Sequence, residues 1–184
     1  MRSAGITECY LYGHHTGASL AAEIAHRYPE FVCGLILHGP PLLETSEQQA
    51  AVKSMYTTPA LAGSGEHLTS LWQRIQAKDS SLPLELVQRE TLDSLLAGPN
   101  YVAAYTAVAD HDFASKCAGL DTPVLVMAGG RDSLAGKVAA TAAKIKDCES
   151  VDLGADVGTF ACDTHPEAVV AAVTKFVSRC HQQR

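Results

Sequence analysis

The segment Gly13-His14-His15-Thr16-Gly17 places two imidazoles in a glycine-flanked turn. Imidazole can attack a carbonyl carbon or phosphorus, but acyl-imidazoles hydrolyse easily and histidine more often serves as an acid or base. Other polar groups carry weaker signals. Asp110-His111-Asp112 sets three polar residues in a row that could line a site or bind metal, yet adjacent residues do not converge on one point, so a solvated helix end is the expectation. His38, after an apolar run, could face a cavity and reads as a satisfied histidine, and His67 with Trp72 reads as packing. Gly129-Gly130 has neither the spacing nor the lysine of a phosphate loop. The six cysteines (Cys9, Cys33, Cys117, Cys148, Cys162 and Cys180) form no Cys-x-x-Cys pair, and no Cys/His spacing fits a zinc site. They read as reduced thiols behaving as small hydrophobes, and neither a metal nor a cofactor is expected.

The elements that must position these groups follow from periodicity. Cys9-Tyr10-Leu11-Tyr12 is short, apolar and aromatic, which fits a strand. The Ala-rich stretch after the turn has apolar residues at Leu20, Ile24 and Tyr28, a helical spacing that Pro29 ends. Phe31 to Leu37 is nearly continuous in apolar residues, as in a strand buried on both faces of a parallel sheet. Strand, helix and strand with short links make a βαβ unit. Residues from about 44 to 119 instead show helical periods around Leu68-Leu71-Trp72-Ile75, Leu84 to Leu96 and Tyr101 to Val108, separated by Gly/Ser/Pro clusters. The α/β grammar returns with a strand at Val124-Leu125-Val126-Met127-Ala128, a helix from Ala135 to Lys146, a short strand at Ser150 to Leu153, a loop from Gly154 to Thr164 and a final helix opened by His165-Pro166-Glu167.

The chain has 184 residues, 47% of them hydrophobic, enough for a sizeable core. Fourteen basic against 20 acidic residues give a net charge of −6, which argues against binding nucleic acid by phosphate neutralisation. No apolar run approaches the roughly 18 residues of a membrane span, so no membrane association is expected. The N-terminus shows no signal peptide, and the cytoplasm is the expected compartment.

Four segments together resemble the α/β-hydrolase superfamily: Gly13 to Gly17 after a strand, Arg27-Tyr28-Pro29-Glu30 running into Phe31 to Leu37, Thr122 to Asp132, and His165-Pro166-Glu167-Ala168-Val169. They stand in the family's order, with a helical block of cap size between the second and third. The resemblance implies a partial α/β-hydrolase fold: a mostly parallel sheet of about four strands from residues 1–43 and 118–184, with a helical cap inserted at 44–117. It also implies a strained strand-to-helix elbow that lifts one side chain above the sheet, with flanking glycines letting strand and helix pass closely. By that pattern His15 holds the nucleophile position, the N–H of Thr16 faces a developing oxyanion, Asp132 is the acid, and His14 packs.

Three departures shape the functional expectation. The usual serine, aspartate or cysteine is His15. The usual base histidine, about seven residues before the Pro-Glu of the last helix, falls on Thr159 in Gly158-Thr159-Phe160, while His165 sits at the helix start. The chain opens almost on the elbow strand, so the family's earlier strands, and the loop giving a second oxyanion N–H, are absent from it; a fragment is expected, from a truncated reading frame, a partial gene model or a chain whose other half lies elsewhere, and Met1 would then be an internal methionine of a longer protein. The expectation is a hydrolase of a small organic substrate in which His15 is base or nucleophile and Asp132 orients it, with the Thr159 hydroxyl as an intermediary. The alternative is a non-catalytic or truncated relative that binds a small molecule or a partner chain. The bare apolar edge of the first strand is a route to self-association.

Overall fold

The computed structural model describes residues 3, 5–57 and 60–182. They divide into two compact units, one built from residues 1–44 and 111–184 and the other from 45–110. The first unit holds a four-stranded parallel sheet in the order β1 (Cys9–His14), β2 (Val32–His38), β3 (Val124–Ala128), β4 (Cys148–Asp152). β2 and β3 are buried along their whole length, which is why both read as unbroken apolar runs. The strands end level: His14 stands opposite His38, and His38 opposite Met127. The carboxyl ends of such strands are where α/β folds gather chemistry.

One face of the sheet is covered by α1 (Thr16–Arg27) and α6 (Phe113–Ala118). The periodicity locates α1, and the residues that carry it are not the ones that face the core. Ala18, Ala21, Ala22 and Ala25 face the core, whereas Leu20 is 63% exposed and Tyr28 47%. Methyl side chains let the helix axis come close to β1 and β2, and a leucine there would hold it off. Phe113, Cys117 and Leu120 complete this layer. The other face packs on α8 (Ala161–Thr164) and α9 (Pro166–Gln182), with Phe176 fully buried beside Ile36 and Leu125. Burying such a side chain contributes about 1.5–3 kcal/mol. Tyr10 meets the Phe176 ring edge-on at 6.5 Å, and Gly34 leaves room for it, since a Cβ there would stand 2.9 Å from the Tyr10 ring.

The helix expected over 135–146 is shorter. A single 3₁₀ turn, Ala135–Lys137, leads into α7 (Val138–Ala142), and the chain then turns so that Ile145 enters the core. The second unit contains α2 (Ser46–Met55), α3 (Glu66–Gln76), α4 (Leu84–Ala97) and α5 (Pro99–Asp110). α2 packs on α5 and α3 on α4. Tyr56 and Tyr105 stack face to face at 3.4 Å. The helical block therefore closes at 110, because α6, within the expected 44–117 insertion, packs on α1. Among the described residues no helix is long and apolar enough to cross a membrane.

Candidate active site

Between β1 and α1 the backbone bends through one residue. His15 has φ 49° and ψ −111°, and it is the one non-glycine residue with positive φ among those described. A left-handed backbone at an L-residue costs roughly 1–2 kcal/mol, so neighbouring contacts must hold it. Its N–H donates to the His38 carbonyl at 2.9 Å, and its carbonyl accepts from the Ala18 N–H at 2.9 Å. Gly13 makes the bend sterically possible: a Cβ there would lie 2.2 Å from the Gly17 carbonyl oxygen. Gly17 itself has open space where a Cβ would stand, so the two flanking glycines are not equivalent.

The bend aims the imidazole across the ends of β2 and β3. His15 Nε2 lies 3.0 Å from each oxygen of Asp132, whose carboxylate is fully buried while the His15 side chain is 25% exposed. Gly39, with φ 57°, forms the floor under the ring, since a Cβ at 39 would stand 2.3 Å from His15 Cδ2 and 2.5 Å from Nε2. Asp132 follows β3 in a turn in which its own N–H donates to the Gly129 carbonyl. Its Oδ1 also accepts from the Leu134 N–H at 2.7 Å. The carboxylate thus serves both as partner to the imidazole and as a local backbone cap. Gly129 lets the loop after β4 close over this turn, since a Cβ there would meet the Val157 carbonyl at 2.2 Å.

Burial alone would raise the Asp132 pKa. The His15 hydrogen bond and charge, the Leu134 N–H and the neighbouring His14 outweigh it, and the group titrates below the ordinary aspartate value. The ionised carboxylate therefore accepts, and His15 Nε2 carries the proton.

A second layer of imidazoles surrounds the pair. The His14 ring lies 4.4 Å from that of His15 and 4.5 Å from that of His38. His38 is fully buried, and its Nδ1 is 2.6 Å from the Tyr12 hydroxyl, which in turn lies 3.0 Å from Cys162 Sγ. Burial, with the nearby His15 and against the attraction of Asp132, brings the His38 pKa down to about 4, so the ring is neutral near pH 7. Burial and the Cys162 thiol push the Tyr12 hydroxyl well above its ordinary value. The Nε2 of His38 has no hydrogen-bond partner among the described residues, so the expectation of a satisfied histidine holds at one nitrogen only.

Of the residues singled out in the sequence, His15 and Asp132 come together and Thr16 opens α1 directly beside them. Thr159 does not join them: it is buried, and its hydroxyl has no hydrogen-bond partner among the described residues. The imidazole reaches Asp132 directly, which leaves no gap for a hydroxyl to bridge. His165 lies between α8 and α9 with Nδ1 2.9 Å from the Thr164 hydroxyl. The Asp110-His111-Asp112 run diverges: Asp110 pairs with Lys53, His111 with Glu23, and Asp112 caps α6 through the Ser115 N–H. Tyr12, Gly39 and Cys162 carried no site reading in the sequence, and His38 only that of a satisfied histidine near a cavity. Strand pairing is the signal that finds His38, because β1 and β2 both end on histidine.

A parallel sheet with the chemistry at its carboxyl edge and a strained strand-to-helix bend define an α/β-hydrolase. The family described as serine aminopeptidase, S33, matches residues 2–152, and the chain belongs to that family. Solved structures agree at the level of fold. A hydrolase from Pseudomonas aeruginosa PA01 superposes with a TM-score of 0.72 at 18% identity, over 96% of this chain and 67% of its own. A thermophilic esterase from Thermogutta terrifontis gives 0.74 at 21% identity, over 98% and 68%. A bromoperoxidase from Bacillus anthracis gives 0.75 at 13% identity, over 96% and 70%. No curated protein sequence matches this chain.

Proposed function

We propose that this chain hydrolyses a small organic ester or related acyl compound, with His15 as general base and Asp132 as the group that orients it. The observation carrying this reading is the contact of His15 Nε2 with both Asp132 oxygens at 3.0 Å, made from a strained bend. Asp132 holds the proton on Nε2, which leaves the lone pair on Nδ1. That nitrogen takes a proton from a water as the water oxygen bonds to the acyl carbon. The proton passes to the leaving oxygen as the acyl C–O bond breaks. The N–H of Thr16, first in α1, has no acceptor within the helix and stabilises the oxyanion. Thr159 takes no part in the proton transfer.

The test is hydrolysis of a panel of short-chain activated esters. His15→Ala is expected to lower kcat/KM by about 10²–10⁴, the range a positioned base supplies. Asp132→Asn is expected to lower it too, through loss of the tautomer control. Turnover indifferent to both substitutions refutes the mechanism. A second reading is favoured by one observation: the position of the family's base is taken by Thr159, whose hydroxyl bonds neither to His15 nor to Asp132. On that reading the chain binds a small molecule without turning it over. Ligands from the same panel would then raise the melting temperature while no product forms.

A further inference from the structure

We propose that His14, His15 and Asp132 form a binding site for a divalent transition ion of the zinc type, and that the bound ion switches the dyad off. One ligand atom from each of the three residues lies within 4.8 Å of the other two. Two ligands on one tetrahedral zinc ion stand about 3.4 Å apart, so the widest gap has to close by at most about 1.4 Å, within reach of turns of the two imidazoles about their soft second torsions. The His15–Asp132 pair already meets this limit at 3.0 Å.

The donor set selects the ion. Two imidazoles and a carboxylate, with no thiolate among them, suit Zn²⁺, Co²⁺, Ni²⁺ and Cu²⁺ and leave positions open for water. The buried Asp132 carboxylate is faced by the imidazoles of His15 and His14. A buried anion in such a setting attracts a cation. The surroundings are those a metal centre needs. The Leu134 N–H fixes Asp132 Oδ1, which orients Oδ2 as the ligand atom. Beside His14, the fully buried His38 presents an Nε2 without a hydrogen-bond partner among the described residues, and a water carried by the ion is the kind of partner it lacks.

The backbone explains why adjacent residues converge here. Successive side chains on a strand point to opposite faces. The positive φ of His15 breaks that alternation and brings its ring to 4.4 Å from the ring of His14.

Binding at His15 Nε2 requires that nitrogen to give up its proton. The neutral ring then carries its proton on Nδ1, the atom the base mechanism needs open. The silencing half of the inference therefore rests on the proposed dyad, whereas the binding half does not.

The experiment titrates chelator-treated protein with Zn²⁺ by calorimetry and records the electron paramagnetic resonance of the Cu²⁺-loaded wild type. One ion per chain is expected, with nitrogen hyperfine structure from two imidazoles. His14→Ala is expected to weaken Zn²⁺ binding at least about tenfold. Cys162→Ser is expected to leave it unchanged. Zn²⁺ binding that is absent, or equally tight in His14→Ala, overturns the proposal, as does a copper spectrum without nitrogen ligation. The copper spectrum needs no variant, so a misfolded His14→Ala does not shelter the idea. Turnover of metal-free protein tests the dyad separately, and Zn²⁺ that binds without slowing that turnover overturns the silencing.

Discussion

Gly13 and Gly17 look interchangeable in the sequence, and the structure predicts that substituting them has opposite consequences. A methyl group at 13 would stand 2.2 Å from the Gly17 oxygen, 2.5 Å from its carbonyl carbon and 2.7 Å from the Ala18 nitrogen. All three are backbone atoms, so no rotamer change relieves the clash and β1 must separate from α1. Overpacking that side chains can absorb costs about 1–3 kcal/mol, and a clash confined to backbone belongs at the top of that range or beyond. At about 3 kcal/mol, and roughly 2–4 °C per kcal/mol for a chain of this size, Gly13→Ala should lower Tm by roughly 6–12 °C. At Gly17 a methyl group meets nothing within 4 Å, and φ is not positive. Gly17→Ala also gains helix propensity of up to about 1 kcal/mol, so Tm should hold or rise by up to roughly 4 °C. Thermal melts followed by circular dichroism decide it. Equal losses for the two variants, or a larger one at Gly17, would refute the packing account of the bend.

Three further outcomes follow from the same geometry. Gly39→Ala combines a positive φ with a methyl group 2.3 Å from the His15 ring, so it should cost about 1–2 kcal/mol in backbone strain and swing the imidazole off Asp132, an outcome read from Tm and from loss of the hydrogen-bonded Nε2–H signal in NMR. Thr159→Val replaces a buried hydroxyl lacking a partner, so stability should hold or rise by about 1–3 kcal/mol with turnover kept; a drop in Tm or in rate would show that the hydroxyl has work to do. Glu23 is held down to about 2, first by the His111 hydrogen bond and then by Arg27 and Lys116 against the opposing effect of burial. Its folded pKa lies below its unfolded one, so its contribution is complete above about 4.5 and disappears as pH falls toward about 2; Glu23→Gln should flatten the fall of Tm across that window, and parallel curves for wild type and variant would contradict it.

The sheet was legible because β2 and β3 are buried on both faces and must be apolar throughout, a pattern that needs no partner to be read. The bend and Asp132 were legible for a related reason: glycine clusters mark where the backbone passes close to itself. What stayed hidden depends on register. His14 and His38 are neighbours only because β1 and β2 run parallel and finish level, which neither strand reveals alone. Spacing along the chain likewise cannot bring His14, His15 and Asp132 together, although one ligand atom from each lies within 4.8 Å of the others. The buried face of α1 was not legible, because large apolar residues outweigh alanines in a periodicity count, although close helix–sheet approach favours the small ones. Thr159 was read as a bridging hydroxyl because position along the chain cannot show that an imidazole spans the gap unaided.

The imidazoles of His14 and His38 inherit their spacing from a hydrogen-bonded ladder, while those of His15 and the carboxylate of Asp132 hang from turns. Parting the first pair would mean unzipping the ends of two strands. Any accommodation to an incoming molecule must therefore come from the bend at 15 and the turn at 132, and the histidines behind them act as a fixed wall against which those two can adjust.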